Sequence, residues 1–270
     1  MKITFLGGGN MANAMIGGLR KQGYSAAGIQ VVEPVAELRN KLTDTYGVRC
    51  AANIDESAMR CEVWVLAVKP QQLRTAIQPL AGHLTSQLVI SIAAGIRSGD
   101  IGRWLGGYAN IVRTMPNTPA LIGAGITGLY AGTGVDKEGR ANAEKILQSA
   151  GPTLWVKDEA QMDAVTAISG SGPGYVFYFM EALQKAAEEA GFDVPSARKL
   201  AVQTFLGAAN LAAQSNESAS VLRERVTSKG GTTEAALKSL DADAVTTAII
   251  RATKAAQARG VELGDELGAD

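Results

Sequence analysis

The run Ile3-Thr4-Phe5-Leu6 leads without a break into Gly7-Gly8-Gly9-Asn10-Met11-Ala12, and then into an amphipathic stretch, Met11–Gln22. This succession of an apolar run, a G-x-G-x-x-A turn and a helical period constrains the fold more than any other feature of the chain. Gly7 permits a tight turn, Gly9 lets bare backbone approach a pyrophosphate, and Ala12 is small enough for helix and strand to pack closely. The first N–H groups of the helix would then face phosphate oxygens. Alone, such a turn is a weak signal. Between a first strand and a first helix it predicts a dinucleotide-binding α/β layer.

The first half of the chain repeats the theme. Apolar runs at Lys2–Leu6, Ile29–Val32, Val63–Val68, Leu88–Ile92 and Asn110–Arg113 alternate with helical patterns at Met11–Gln22, Val35–Tyr46, Ile54–Arg60, Gln71–His83 and Ser98–Leu105. Continuous apolar strands separated by helices predict a mostly parallel sheet covered on both faces. A strand at Gly125–Tyr130, a helix at Lys137–Ala150 and a strand at Thr153–Val156 complete the layer. Beyond Asp158 only helical periods follow, at Tyr175–Ala190, Ser196–Ser215, Ser218–Val226, Thr233–Leu240 and Ala242–Leu263. The expected fold is therefore α/β plus all-α, with a Rossmann-type domain over residues 1–157 and a helical domain over 158–270. Met180, Leu183, Ala186 and Ala187 fall at helix-face spacing, which reads first as core packing. An Ala-rich helical half of this size also suits a dimer interface.

Charge and composition narrow the function. With 26 Lys+Arg against 26 Asp+Glu the formal net charge is zero, which argues against nucleic acid or an acidic membrane as partner. No apolar segment approaches the ~20 residues of a membrane span. The N-terminus enters a strand directly, without a signal-peptide pattern, and the expected location is the cytoplasm. Two cysteines, Cys50 and Cys61, and one histidine, His83, leave no disulfide framework and no poly-His metal site, so no metal is expected. Glycine is in excess, 31 of 270 residues, or about 11% against a usual ~7%, as expected if bare backbone binds ligands.

Several segments fall where the strands of an open α/β sheet present their carboxyl ends to ligands. Glu33 ends the Ile29–Val32 strand; an acidic residue there accepts hydrogen bonds from ribose hydroxyls and repels a 2′-phosphate, pointing to NAD. Ala67-Val68-Lys69-Pro70, Ser91-Ile92-Ala93-Ala94-Gly95 and Met115-Pro116-Asn117-Thr118-Pro119 end later strands on the same edge. In the helical half, Ser169-Gly170-Ser171-Gly172-Pro173-Gly174 and Thr227-Ser228-Lys229-Gly230-Gly231-Thr232-Thr233 each open a helix. A Gly-Gly-Thr-Thr turn at a helix start exposes N–H groups and hydroxyls able to hold a carboxylate. Singly, each of these is an ordinary turn or cap.

Together and in this order, Leu6–Ala12, Ala67–Pro70, Met115–Pro119, Ser169–Pro173 and Thr227–Thr233 resemble the pyrroline-5-carboxylate reductases, which carry out the last step of proline biosynthesis. The resemblance implies an NAD(P)H-dependent reductase with a Rossmann domain and a helical dimerisation domain, assembled as a homodimer or a higher oligomer of dimers. It implies that Leu6, Gly7, Gly8, Gly9, Asn10 and Met11 cradle the pyrophosphate. Asn53, Ala67, Val68, Lys69, Pro70, Ile92, Ala93 and Ala94 would line the rest of the cofactor, and Gly230, Gly231, Thr232 and Thr233 the substrate. Asn216 falls where some relatives bind substrate through Glu, and Lys229 replaces a common Pro. Most members carry small hydroxyl residues at the position of Glu33, so the resemblance implies NADPH where Glu33 itself favours NADH.

The implied reaction needs few acid–base groups. Hydride from nicotinamide C4 goes to the C=N carbon of a cyclic imine whose nitrogen is itself basic. Thr233 is expected to hydrogen-bond that nitrogen, while the N–H groups of Gly231 and Thr232 hold the carboxylate. His83 reads as a surface or helix-end residue. Two rivals share the layout: a hydroxyacid dehydrogenase of the 6-phosphogluconate type and a non-catalytic dinucleotide sensor. The first uses a Lys soon after a Gly-rich turn, whereas here none follows Gly172 until Lys185; the second would show an eroded second glycine turn.

Overall fold

Among residues 1–269, which the computed structural model describes, eight strands form one sheet. They are β1 (Ile3–Leu6), β2 (Ile29–Val32), β3 (Arg49–Ala51), β4 (Val63–Leu66), β5 (Leu88–Ser91), β6 (Ile111–Met115), β7 (Thr127–Ala131) and β8 (Thr153–Trp155). The helices before residue 171 are α1 (Asn10–Lys21), α2 (Ala36–Tyr46), α3 (Glu56–Met59), α4 (Pro70–Ile77), α5 (Ser98–Trp104), α6 (Lys137–Leu147) and α7 (Gln161–Val165). After it come α8 (Gly172–Glu189), α9 (Val194–Gln214), α10 (Ala219–Arg225), α11 (Thr232–Ala242) and α12 (Val245–Gly268).

The sheet order is β3-β2-β1-β4-β5-β6-β7-β8. From β3 to β6 every pairing is parallel; β7 runs antiparallel to β6, and β8 parallel to β7. Every residue of β1, β2, β4 and β5 is buried, as strands covered on both faces require. On one face Ile3, Phe5, Val63 and Val65 pack with Ala12, Met15, Ile16 and Leu19 of α1. On the other Trp64, Leu66 and Val89 pack with Leu73, Ile77 and Ile101 of α4 and α5. The strand order reverses between β1 and β4, and there Gly7 and Ala67 emerge side by side at the carboxyl edge.

The chain divides into two compact units: Met1–Ser171 with the chain from Ala256 on, and Gly172–Ala255. The break therefore lies fourteen residues beyond the expected one (171 against 157), and the first unit takes the last part of α12 as well. The reason is packing onto the sheet. A Cβ on Gly128 of β7 would sit 2.6 Å from Cγ1 of Val165, and the buried Arg113 of β6 bonds Asp163 at 3.1 Å. The π-helical turn Thr166–Gly170 follows α7, with Gly170 pressed against Met115. At the chain's end Gly264 of α12 meets the carbonyl of Gly95, and Arg97 pairs with Asp265 at 2.7 Å.

The second unit, taken by itself, has almost no interior. α8, α10 and α11 contain no buried residue, and α9 buries only Ala197 and Ala201. Phe177 is 59% exposed, Tyr178 71% and Leu211 66%. The stripe through Met180 and Leu183 thus does not enter a core within one chain, contrary to the first reading of its spacing: Met180 is only half-buried and Leu183 is exposed. No helix among the described residues is long and apolar enough to cross a membrane.

Candidate functional site

The first site candidates form one continuous edge. Gly7 closes β1 with φ +102°, a conformation that favours glycine, and a Cβ on it would lie 2.7 Å from the Ala67 carbonyl oxygen. Its N–H donates to the Val32 carbonyl at 2.8 Å, so the loop is tied to β2. Gly9 is the N-cap of α1, and a Cβ there would meet nothing within 4 Å. Space for a ligand therefore opens above Gly9 while the Gly7 side is closed. The N–H groups of Asn10 and Met11, in the first turn of α1, have no carbonyl below them. Loop and helix start together fit a pyrophosphate.

Around this cradle stand the neighbouring strand ends. The Ala67 N–H donates to the Leu6 carbonyl, and Lys69 caps α4 with Pro70 at its first position. Val68 follows Ala67 half-buried, and Lys69 is exposed. Ile92 bonds back to Leu66, Ala93 is buried behind the Ser91 hydroxyl, and Ala94 is exposed. Asn53 lies exposed just beyond β3. The structure thus brings Leu6–Met11, Asn53, Ala67–Pro70 and Ile92–Ala94 to the carboxyl ends of β1, β3, β4 and β5, around the switch point where ligands bind open α/β sheets.

Glu33 sits on the same edge but is turned inward. It is 7% exposed; one carboxylate oxygen accepts from the Gly8 N–H at 2.8 Å and the other from the Val35 N–H at 2.9 Å. Turning the carboxylate out would leave the buried Gly8 amide unpaired, at a cost of about 1–3 kcal/mol. Beside it, Nη1 of Arg39 donates at 2.8 Å to the carbonyls of Glu33 and of Pro34. Sequence spacing gave no hint of Arg39, because its placement depends on α2 presenting its fourth residue to the strand end.

A cavity of about 560 Å³ opens on the opposite, amino edge of the sheet, lined in part by Lys2, Arg49, Asp55 and Arg60. Arg49 is paired with Asp55 and Arg60 with Glu56. With two of its three cations neutralised and no glycine cradle, it is a poor phosphate site.

The second unit holds the other set of candidates. Gly230 adopts φ +72° and Gly231 caps α11, so Thr232 and Thr233 are its first two residues. The Gly231 N–H already donates to the Ser228 carbonyl at 2.9 Å, which removes it as an anion donor and leaves Thr232 and Thr233. Among the described residues the Thr233 hydroxyl has no partner. Glu234 reaches back to the Gly230 N–H and pairs with Lys238 at 3.0 Å; these contacts, the Gly230 bond first, hold its carboxyl below the usual range. Asn216 lies exposed between α9 and α10. Its neighbour Glu217, which sequence reasoning missed, pairs with Arg225 through one oxygen and keeps the other buried without a partner. Of the rest, Asn117 donates to the Ser169 carbonyl at 3.1 Å and accepts from the Ile126 N–H at 2.9 Å, and exposed His83 contacts the Ala81 carbonyl.

Comparison with known proteins finds matches in both parts of the chain. Residues 159–263 match the family model "Pyrroline-5-carboxylate reductase dimerisation", and residues 2–95 match "NADP oxidoreductase coenzyme F420-dependent". The first of these begins near residue 158, where the change of sequence pattern lies, not at the structural break. The chain is 44% identical to a pyrroline-5-carboxylate reductase of Pseudomonas aeruginosa over 99% of its own length and 98% of the relative's. It is 44% identical to that of Haemophilus influenzae over 97% of each. Among solved structures it resembles a pyrroline-5-carboxylate reductase of Coxiella burnetii, with TM-score 0.93 and 42% identity over 97% of this chain and 98% of that one. It also resembles the Plasmodium falciparum pyrroline carboxylate reductase with NADP bound, with TM-score 0.85 and 27% identity over 98% of each.

Proposed function

The chain belongs to the pyrroline-5-carboxylate reductase family, and from that premise we infer how its own residues reduce 1-pyrroline-5-carboxylate to L-proline with NAD(P)H. The observation that carries the reading is the turn Gly230–Glu234: a glycine-shaped, carboxylate-braced helix start with two free N–H groups and a free hydroxyl side by side. The substrate offers a matching carboxylate and ring nitrogen.

A bound reduced nicotinamide supplies the hydride. Gly7–Met11 of the first unit hold the pyrophosphate, and Asn53, Ala67–Pro70 and Ile92–Ala94 line the nucleosides. The cofactor is NADPH or NADH, with NADPH favoured, consistent with the NADP in the Plasmodium falciparum relative. In the second unit the N–H groups of Thr232 and Thr233 hold the substrate carboxylate, with Gly230 and Gly231 shaping the turn. The Thr233 hydroxyl donates to the neutral imine or to the product amine. A protonated imine is already electrophilic, so orientation and exclusion of water supply most of the acceleration; such positioning is worth up to about 7–11 kcal/mol. Asn216, exposed before α10, is assigned to the substrate site on the family resemblance.

The protein works as a homo-oligomer, assembled as a dimer or as dimers of dimers through the helical unit, in the cytoplasm and without nucleic acid. Incubation with pyrroline-5-carboxylate and NADPH, following loss of nicotinamide absorbance and formation of proline, tests the function. Absence of proline with either nicotinamide would refute it.

A further inference from the structure

Glu33 and Arg39 raise a question that the reduction itself does not answer: which group at the carboxyl end of β2 meets the adenosine ribose. An acidic residue at this position would be expected to grip both ribose hydroxyls and turn away a 2′-phosphate. Here its carboxylate is spent inside the protein, on the Gly8 and Val35 amides, and only 7% of the residue is exposed. Its Cβ and Cγ pack 3.4 and 3.3 Å from where a Cβ of Gly8 would be, so the side chain supports the glycine loop from behind. The group standing over the strand end is instead a cation. Nη1 of Arg39 bridges the carbonyls of Glu33 and Pro34, while among the described residues Nη2 and Nε make no hydrogen bond. Two carbonyls fix the guanidinium, and its remaining donors form the kind of fork that binds phosphate oxygens.

We propose that Arg39 is the residue that recognises the 2′-phosphate of NADPH, and that Glu33 is a positioning residue for the pyrophosphate loop which does not discriminate between the two dinucleotides. The proposal deepens the reductase reading and rests on it only for the identity of the cofactor. It reverses the meaning of Glu33: a residue that in sequence votes for NADH is consistent with NADPH once its carboxylate faces inward.

The test measures dissociation constants by fluorescence titration of the full chain, without pyrroline-5-carboxylate. NADPH and NADH serve as ligands, with 2′-phospho-ADP-ribose and ADP-ribose as probes that lack nicotinamide. Arg39→Met should lower the preference for the 2′-phosphorylated member of each pair by about tenfold or more, and Arg39→Lys should restore part of it. Glu33→Gln keeps the shape but weakens one of the two amide contacts; both dinucleotides should bind less tightly, with their ratio within about threefold of the original. In the unmodified protein the preference for NADPH should shrink as salt rises from about 0.05 to about 0.5 M, since a half-exposed guanidinium–phosphate contact is still screened. An unchanged ratio in Arg39→Met, or a tenfold swing towards NADPH in Glu33→Gln, would overturn the assignment. Because turnover is not read, a chain that discriminates the dinucleotides yet forms no proline would refute the reductase function and leave this proposal standing.

Discussion

Two glycines of the same helix region show how differently one residue type is used. A Cβ on Gly18 of α1 would lie 1.9 Å from the backbone oxygen of Ser149, so Gly18→Ala must push α1 off the turn at Gln148–Ala150. Overpacking of backbone against backbone costs about 3 kcal/mol, and for a chain of this size each kcal/mol lowers Tm by ~2–4 °C. A thermal melt should show the loss, while the binding loop itself is untouched. Gly9→Ala meets no atom, so it should melt within a few degrees of the original; its Cβ instead fills the space offered to the pyrophosphate and should weaken dinucleotide binding by tenfold or more. At the other site Thr233→Ala should lower kcat/KM by ~10²–10⁴ if the hydroxyl donates a proton in the transition state. A variant within threefold would remove that role, and His83→Ala, altering an exposed ring on the Ala81 carbonyl, serves as the inert comparison.

At the scale of the element, the turn proposed to hold substrate is braced by Glu234, which ties the first turn of α11 to Gly230. Glu234→Gln should loosen that tie and raise KM for pyrroline-5-carboxylate about tenfold with kcat little changed, since binding geometry and not proton transfer is lost. The pH dependence follows the same contact. The Glu234 carboxyl is held below its ordinary value, so its contribution is present above the normal glutamate range and is lost as pH falls through the lowered value. KM measured at falling pH should therefore hold steady through the usual glutamate range in the original protein. Elements of this kind were readable in advance to different depths. The β1–α1 loop and the Gly-Gly-Thr-Thr turn announced themselves because glycine spacing and capping chemistry are local. β3 did not, since Arg49-Cys50-Ala51 is three residues long and owes its pairing to β2. Neither did the return of α12 to the first unit, where Gly260, Gly264 and Gly268 look in sequence like weak helix positions and in space are the buried face. The inward turn of Glu33 is likewise set by amides of two separate loops, which no spacing rule contains.

At the scale of the molecule, the second unit poses an energetic problem that one chain cannot solve. Val176, Phe177, Leu183, Leu206, Leu211 and Ile250 are all exposed in the single chain. Burying a side chain of this size is worth about 1.5–3 kcal/mol, so six of them represent on the order of 10 kcal/mol, as much as the net stability of a whole domain. Helices α8 and α9 and the first part of α12 left in water would forfeit that stabilisation, whereas a second copy offers the same faces in return. Assembly and folding of this unit should then be one process. Tm should rise with protein concentration, as for any system in which association stabilises the folded state, and dilution should lower it. Leu183→Glu places a charge in the helix-face stripe and should shift the sedimenting mass towards the single chain while lowering Tm at fixed concentration. The first unit, with its own core on both sides of the sheet, should retain dinucleotide binding in that variant. A chain that sediments as a monomer at micromolar concentration, with a Tm independent of dilution, would mean that these faces are covered in some other way.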